Sequence, residues 1–203
     1  MIEAMMMCGA QGPATAWEVV GTTSLLTSGP LAVVADFPAG TREGDLVVAL
    51  MSPLNESIST VMVSEGSWAR WTPGQQDYLC TARYTTGLAA PRWQKGESTS
   101  LFVAVVVFRA PGWATVQLES NLSPAMPVTV RAQASNQLLL NIGLAPTTSN
   151  WVGHVPSLDA GSRISRRTAP AMQLYSASID DPGQYPDIYI TPFSCRNLIL
   201  TAF

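Results

Sequence analysis

Apolar residues in this chain fall into short runs of strand length, separated by glycine, proline, asparagine and aspartate. The clearest runs are Thr23 to Leu26, Leu31 to Phe37, Leu46 to Met51, Thr60 to Val63, Tyr78 to Tyr84 and Leu101 to Phe108. They continue as Thr115 to Leu118, Val128 to Ala132, Leu138 to Leu144, Met172 to Ile179, Ile188 to Ile190 and Leu198 to Phe203. In Tyr78 to Tyr84 the alternate positions Tyr78, Cys80, Ala82 and Tyr84 make one apolar face, as a half-buried strand requires. Leu101 to Phe108 is apolar at every position and rich in valine. That pattern predicts a central strand covered on both faces, by a second sheet on one side and by a loop or a neighbouring subunit on the other. No stretch of ten or more residues carries a 3.6-residue stripe between caps, so helices are expected to be short or absent.

The pattern therefore predicts an all-β fold, a two-sheet β-sandwich of jelly-roll-like kind. Residues 1–22 are expected to form an N-terminal arm or docking segment, with methionine-rich Met1 to Pro13 suited to irregular surfaces. Residues 23–203 are expected to form a single domain, because no polar linker separates Ala110 from Val128. The runs from Gly44, Tyr78 and Leu101 are echoed at similar spacing by runs from Asn136, Gln173 and Arg196. Two pseudo-repeat halves, about 44–110 and 136–203, or chance spacing in a strand-rich chain explain this equally well.

Composition narrows the function. Of 203 residues, 47% are hydrophobic and only 12% charged, which excludes a disordered tail or coiled coil and fits a surface partly covered by partners. A net charge of −3 leaves no basic footprint for nucleic acid. The apolar runs are too short to span a bilayer as helices, so membrane insertion is not expected. No export signal is visible at the N-terminus. The three cysteines have no CxxC spacing and specify neither a disulfide framework nor a zinc site.

Candidate chemistry is sparse. His154 is the single histidine and sits in an apparent loop without a catalytic motif around it. Asp180-Asp181-Pro182-Gly183 reads as a turn, with calcium binding near Asp187 as the sharper alternative. No nucleophile, base and orienting group stand at recognisable spacing, so no catalytic residue, cofactor or metal is expected and an enzyme ranks last. The contact candidates are Trp68, Arg70 and Trp71 in Gly66 to Thr72, with Trp93 and Trp151. Such rings serve core wedging, interface anchoring or stacking on sugars. Arg163, Arg166 and Arg167 form the basic cluster, read as a solvated loop or as a partner for acidic groups of a neighbouring subunit or an anionic sugar.

Along the chain stand Gly44-Asp45-Leu46-Val47-Val48-Ala49, Trp71-Thr72, Ala82-Arg83-Tyr84-Thr85-Thr86-Gly87, Phe108-Arg109 and the Leu138-Leu139-Leu140 strand. The order of these motifs resembles the β-sandwich modules of tailed-phage virion proteins. The likeness spans roughly residues 25 to 203, with the glycine that should follow the aromatic-arginine strand end delayed to Gly112. It implies a structural virion component, whether capsid decoration, head fibre or tail-associated protein, and no catalytic residue. The expected partners are other virion proteins and further copies of the chain, a trimer being favoured, with a host surface glycan as an additional ligand. The expected location is the virion, assembled in the host cytoplasm. The alternative is a glycan-binding module that recognises a host cell envelope.

Overall fold

The computed structural model describes residues 17–28, 32–53, 60–71, 79–95, 100–122, 128–131, 137–144, 152–154, 163–169, 172–179, 184–191 and 196–203. Among them there are only strands and irregular segments, and no helix. The first eight strands are β1 (Glu18–Thr27), β2 (Ala32–Val34), β3 (Leu46–Pro53), β4 (Thr60–Met62), β5 (Ala69–Arg70), β6 (Leu79–Arg83), β7 (Arg92–Lys95) and β8 (Leu101–Arg109). The next eight are β9 (Val116–Leu122), β10 (Val128–Arg131), β11 (Gln137–Leu144), β12 (Val152–His154), β13 (Arg163–Ala169), β14 (Met172–Ile179), β15 (Gln184–Thr191) and β16 (Arg196–Ala202).

All pairings are antiparallel, and they nest: β1 pairs with β8, β2 with β7 and β3 with β6. Further pairings of β8 with β3, β7 with β4 and β5 with β6 complete a five-stranded sheet β1-β8-β3-β6-β5 and a three-stranded sheet β2-β7-β4. The remaining strands make sheets β9-β16-β11-β14-β13 and β10-β15-β12, which is the first order with every strand number raised by eight. The described strands thus form four sheets rather than the two expected.

Alternation along β3 and β8 decides what lies where. Leu46, Val48 and Leu50, with Phe102, Ala104, Val106 and Phe108, belong to one buried cluster that also contains Leu138, Leu140, Ile142, Leu200 and Ala202 of β11 and β16. This cluster therefore draws on both five-stranded sheets. Val47, Ala49 and Met51, with Leu101, Val103, Val105 and Val107, point the other way into a cluster with Val33, Ala35, Leu88 and Trp93. Both faces of β8 are buried, as its uninterrupted apolar pattern requires. The second covering comes from the chain's own three-stranded sheet and loops, with no subunit needed to supply it.

Several local expectations change. β1 starts at Glu18, inside the segment expected to be an arm, because Val19 to Thr27 pair along β8 from Phe108 to Leu101. An irregularity between Val19 and Gly21 lets this strand bend under Pro38, which leaves no room for a Cβ at Gly21. His154 ends strand β12 opposite Tyr189, so it is not in a loop. The Arg163 to Arg167 cluster is strand β13 at a sheet edge, and Asp187 lies within strand β15. Backbone pairing of β13 with the next strand β14, and of β15 with β12 earlier in the chain, converts these polar stretches into strands. Asp180 to Gly183 fall outside the described residues.

Candidate functional site

The densest polar chemistry among the described residues gathers where β3 begins and β8 ends. Asp45 immediately precedes the all-buried strand β3, and Arg109 closes the buried strand β8. Side-chain exposure is 2% for Asp45 and 29% for Arg109. The guanidinium grips the carboxylate with two hydrogen bonds, Nε to Oδ1 and Nη2 to Oδ2, each 2.8 Å. Arg109 Nη2 also donates to the carbonyl of Gly40 at 2.9 Å. The hydrogen bonds to Asp45 hold the Arg109 guanidinium above its ordinary range, burial acts against them, and the charges of Asp45 and Glu18 add to the rise.

The turn before β3 is shaped to present Asp45. Arg42 N donates to Asp45 Oδ2 at 2.8 Å, and Asp45 N donates back to the Arg42 carbonyl at 3.1 Å. Gly44 sits at φ +86°, a conformation that glycine alone takes without strain. Its N–H donates to the Tyr84 carbonyl at 2.9 Å, and its carbonyl accepts the Trp113 indole N–H at 2.7 Å. Glu43 reaches across to accept from Thr86, from the backbone N–H at 3.0 Å and from the hydroxyl at 3.3 Å.

Arg83, the last residue of β6, lies over the Trp113 ring at 3.9 Å from its centroid and donates to the Trp113 carbonyl. Trp17 packs on Trp113 at 6.2 Å between ring centroids. Together these groups border an open cleft of about 370 Å³, lined by Arg42, Glu43, Gly44, Asp45, Arg83, Arg109, Ala110, Pro111 and Gly112. The arrangement offers hydrogen-bond donors from three guanidinium groups. Among the described residues no group of three or more His, Cys, Asp or Glu side chains is placed to hold a metal ion. No helix among them is long and apolar enough to cross a membrane.

The residues singled out from sequence are dispersed. Trp93, in β7, is fully buried in the core and presents no surface. Trp71 is half-buried against the inter-sheet cluster, and its indole N–H donates to Thr81 Oγ1 at 2.7 Å. Trp68 is half-buried against the opposite cluster, its indole nitrogen enclosed without an acceptor among the described residues. Arg70 is exposed on the short strand β5 between them. Arg163, Arg166 and Arg167 lie on β13, at register positions opposite Ser178, Tyr175 and Leu174. Trp151 lies outside the described residues. Trp68 packs against the cluster that contains Trp93 and Trp71 against the other one, so Trp68, Arg70, Trp71 and Trp93 do not share one exposed patch.

Sequence reading gave the Asp45–Arg109 site no role, although both residues stood in the motifs that carried the resemblance. The signal was present: a lone aspartate opens one all-apolar run and a lone arginine closes another. Buried charges at such strand ends require partners.

Comparisons of the chain with known protein families, with curated proteins and with solved structures found no match.

Proposed function

We propose that the chain is a structural component of a bacteriophage virion, of capsid-decoration, head-fibre or tail-associated kind, built as two jelly-roll-like units in tandem. A jelly roll is an eight-stranded, two-sheet arrangement of Greek keys. Nested pairing of first with eighth, second with seventh and third with sixth strands, with the eighth also meeting the third, supports this reading. The order occurs once in β1 to β8 and again in β9 to β16. This recurrence is the observation that carries the proposal, because it favours duplication over chance spacing and extends it to sixteen strands.

The resemblance supplies the functional half of the reading. Its Gly44-Asp45-Leu46 and Phe108-Arg109 motifs lie at a structural joint, where their side chains tie two strand ends together. Motifs spent on architecture fit a protein that acts by shape. In this reading, copies of the chain associate and dock on other virion proteins without chemistry. Leu25 and Leu26, 45% and 46% exposed, lie on the edge strand β1 and are suited to such contacts.

Light scattering behind a sizing column tests this. A discrete trimer or higher ring is the expected result. A monomer at every concentration overturns the self-association on which the mechanism rests.

The second reading, a glycan-binding module, draws support from the open arginine-lined cleft and less from the tryptophans, which are largely used in packing.

A further inference from the structure

We infer that the cleft between the β3 entry turn and the β8 exit turn binds an anionic sugar unit, a uronic acid or sugar phosphate, through Arg42 and Arg83. This inference deepens the second, glycan-binding reading and is independent of the virion reading, since it concerns only what the cleft can hold.

Charge is the first ground. Arg109 is committed to Asp45 by two hydrogen bonds, and among the described residues this is the one ion pair at the site. Arg42 and Arg83 are exposed, line the same cleft, and have no carboxylate within ion-pair distance among the described residues. Glu43 is turned to the Thr86 N–H and hydroxyl. Among the described residues the cleft lining sets Arg42, Arg83 and Arg109 against Glu43 and Asp45 and is therefore net positive, in a chain whose net charge is −3.

Preorganisation is the second. Arg83 is fixed over the Trp113 ring and bonded to its carbonyl through Nη2, so its other N–H donors are held in place rather than swept through solvent. Trp113 is itself anchored to Gly44, and Arg42 is in the turn whose backbone is closed on Asp45. A donor already held loses less entropy when it binds a carboxylate or phosphate.

The second half of the chain supplies a third ground. Leu46 stands opposite Arg83 and Phe108, while Leu138 stands opposite Ser178 and Ala202. The positions corresponding to Asp45, Arg83 and Arg109 are thus Gln137, Ser178 and Phe203, none of them charged. The same strand topology is reached there without arginine at these positions. Arg83 is consequently not a demand of the fold, and its presence beside Arg42 points to a ligand.

Size selects the ligand. A cleft of about 370 Å³ is at the small end of ligand sites and exceeds what a bare oxyanion fills. The ligand assigned is a pyranose whose anionic group meets Arg42 and Arg83, with its ring in the rest of the cleft.

The test is isothermal titration of the full chain with glucuronate, glucose 6-phosphate, inorganic phosphate and glucose, repeated with Arg42→Gln and Arg42→Gln/Arg83→Gln. Arg42 is exposed and its guanidinium has no carboxylate partner among the described residues, so its variant is expected to keep the wild-type melting curve. Binding of one or both anionic sugars is expected, with the stronger of the two identifying the anion's source. Arg42→Gln should weaken it about tenfold to a hundredfold, the value of one charge-assisted hydrogen bond. The double variant should abolish it, and glucose should not bind. Absence of binding by both anionic sugars, unchanged affinity in Arg42→Gln, or inorganic phosphate binding as tightly as the sugars would each overturn the inference. None of these outcomes bears on the oligomeric state, so failure here is distinguishable from failure of the virion reading.

Discussion

Replacing Arg109 with leucine isolates the joint between β3 and β8. Asp45 is 2% exposed and accepts from three donors, Arg109 Nε, Arg109 Nη2 and Arg42 N, all at 2.8 Å. Arg109→Leu leaves the carboxylate with the Arg42 N–H alone. Stranding one member of a fully buried pair costs about 3–5 kcal/mol. Arg109 is 29% exposed, so water reaches part of the vacated space, and about 2–4 kcal/mol is the expected loss here. For a chain of this length that corresponds to a fall in Tm of roughly 4–16 °C. Urea unfolding followed by both tryptophan fluorescence and circular dichroism measures it and checks that the transition is two-state. The double variant Asp45→Asn/Arg109→Leu removes the stranded charge as well and should recover about half of the loss, since the two residues act as one unit. A loss below about 0.5 kcal/mol for Arg109→Leu, the range of an ordinary surface substitution, would refute the reasoning. So would a double variant whose loss is the sum of the single ones. Because the guanidinium is held above its ordinary range, Arg109's contribution is complete below that range and lost only at more alkaline pH. The deficit of the variant should therefore stay constant from pH 6 to pH 9, a window chosen to lie well clear of guanidinium titration.

Three further outcomes follow from the same region and from the core. Gly44→Ala places a Cβ residue at φ +86° with only Arg83 Nη1 nearby at 4.0 Å, so the cost is conformational, about 1–2 kcal/mol by thermal melting. Trp113→Phe keeps most of the packing but leaves the Gly44 carbonyl without the indole donor, for a loss of about 1–2 kcal/mol by the same measurement. Cys80 is fully buried, so in a Cys8→Ser/Cys195→Ser background a thiol reagent should label the chain only as fast as it opens; immediate labelling would contradict the assigned core.

The amino-acid pattern by itself determined the all-β class and the place of its central strand. An eight-residue run without a polar side chain can be satisfied only where both faces are covered, and β8 is so covered. Alternation in Leu79 to Arg83 announced β6 as a strand but not as the half-buried one expected, because Leu79 and Thr81 are covered as fully as Cys80 and Ala82. The polar strands β5, β7 and β13 were not legible, because their backbone groups are satisfied by neighbours such as β6, β2 and β14, which no local pattern reports. Trp93 had the flanks of a loop residue, yet pairing of β7 between β2 and β4 carries it to the core. Nor did sequence spacing settle the repeat. It aligned Phe108 with Phe203, whereas the register sets Ala202 in the place of Phe108, and a slip of one residue exchanges the two faces of a strand. The site depended most on tertiary structure. Asp45 and Arg109 are 64 residues apart, and what makes them partners is the antiparallel pairing of the strands they bound. Local hydrophobicity dictates which segments must be buried, but which distant charges meet is fixed only when the strands choose their neighbours.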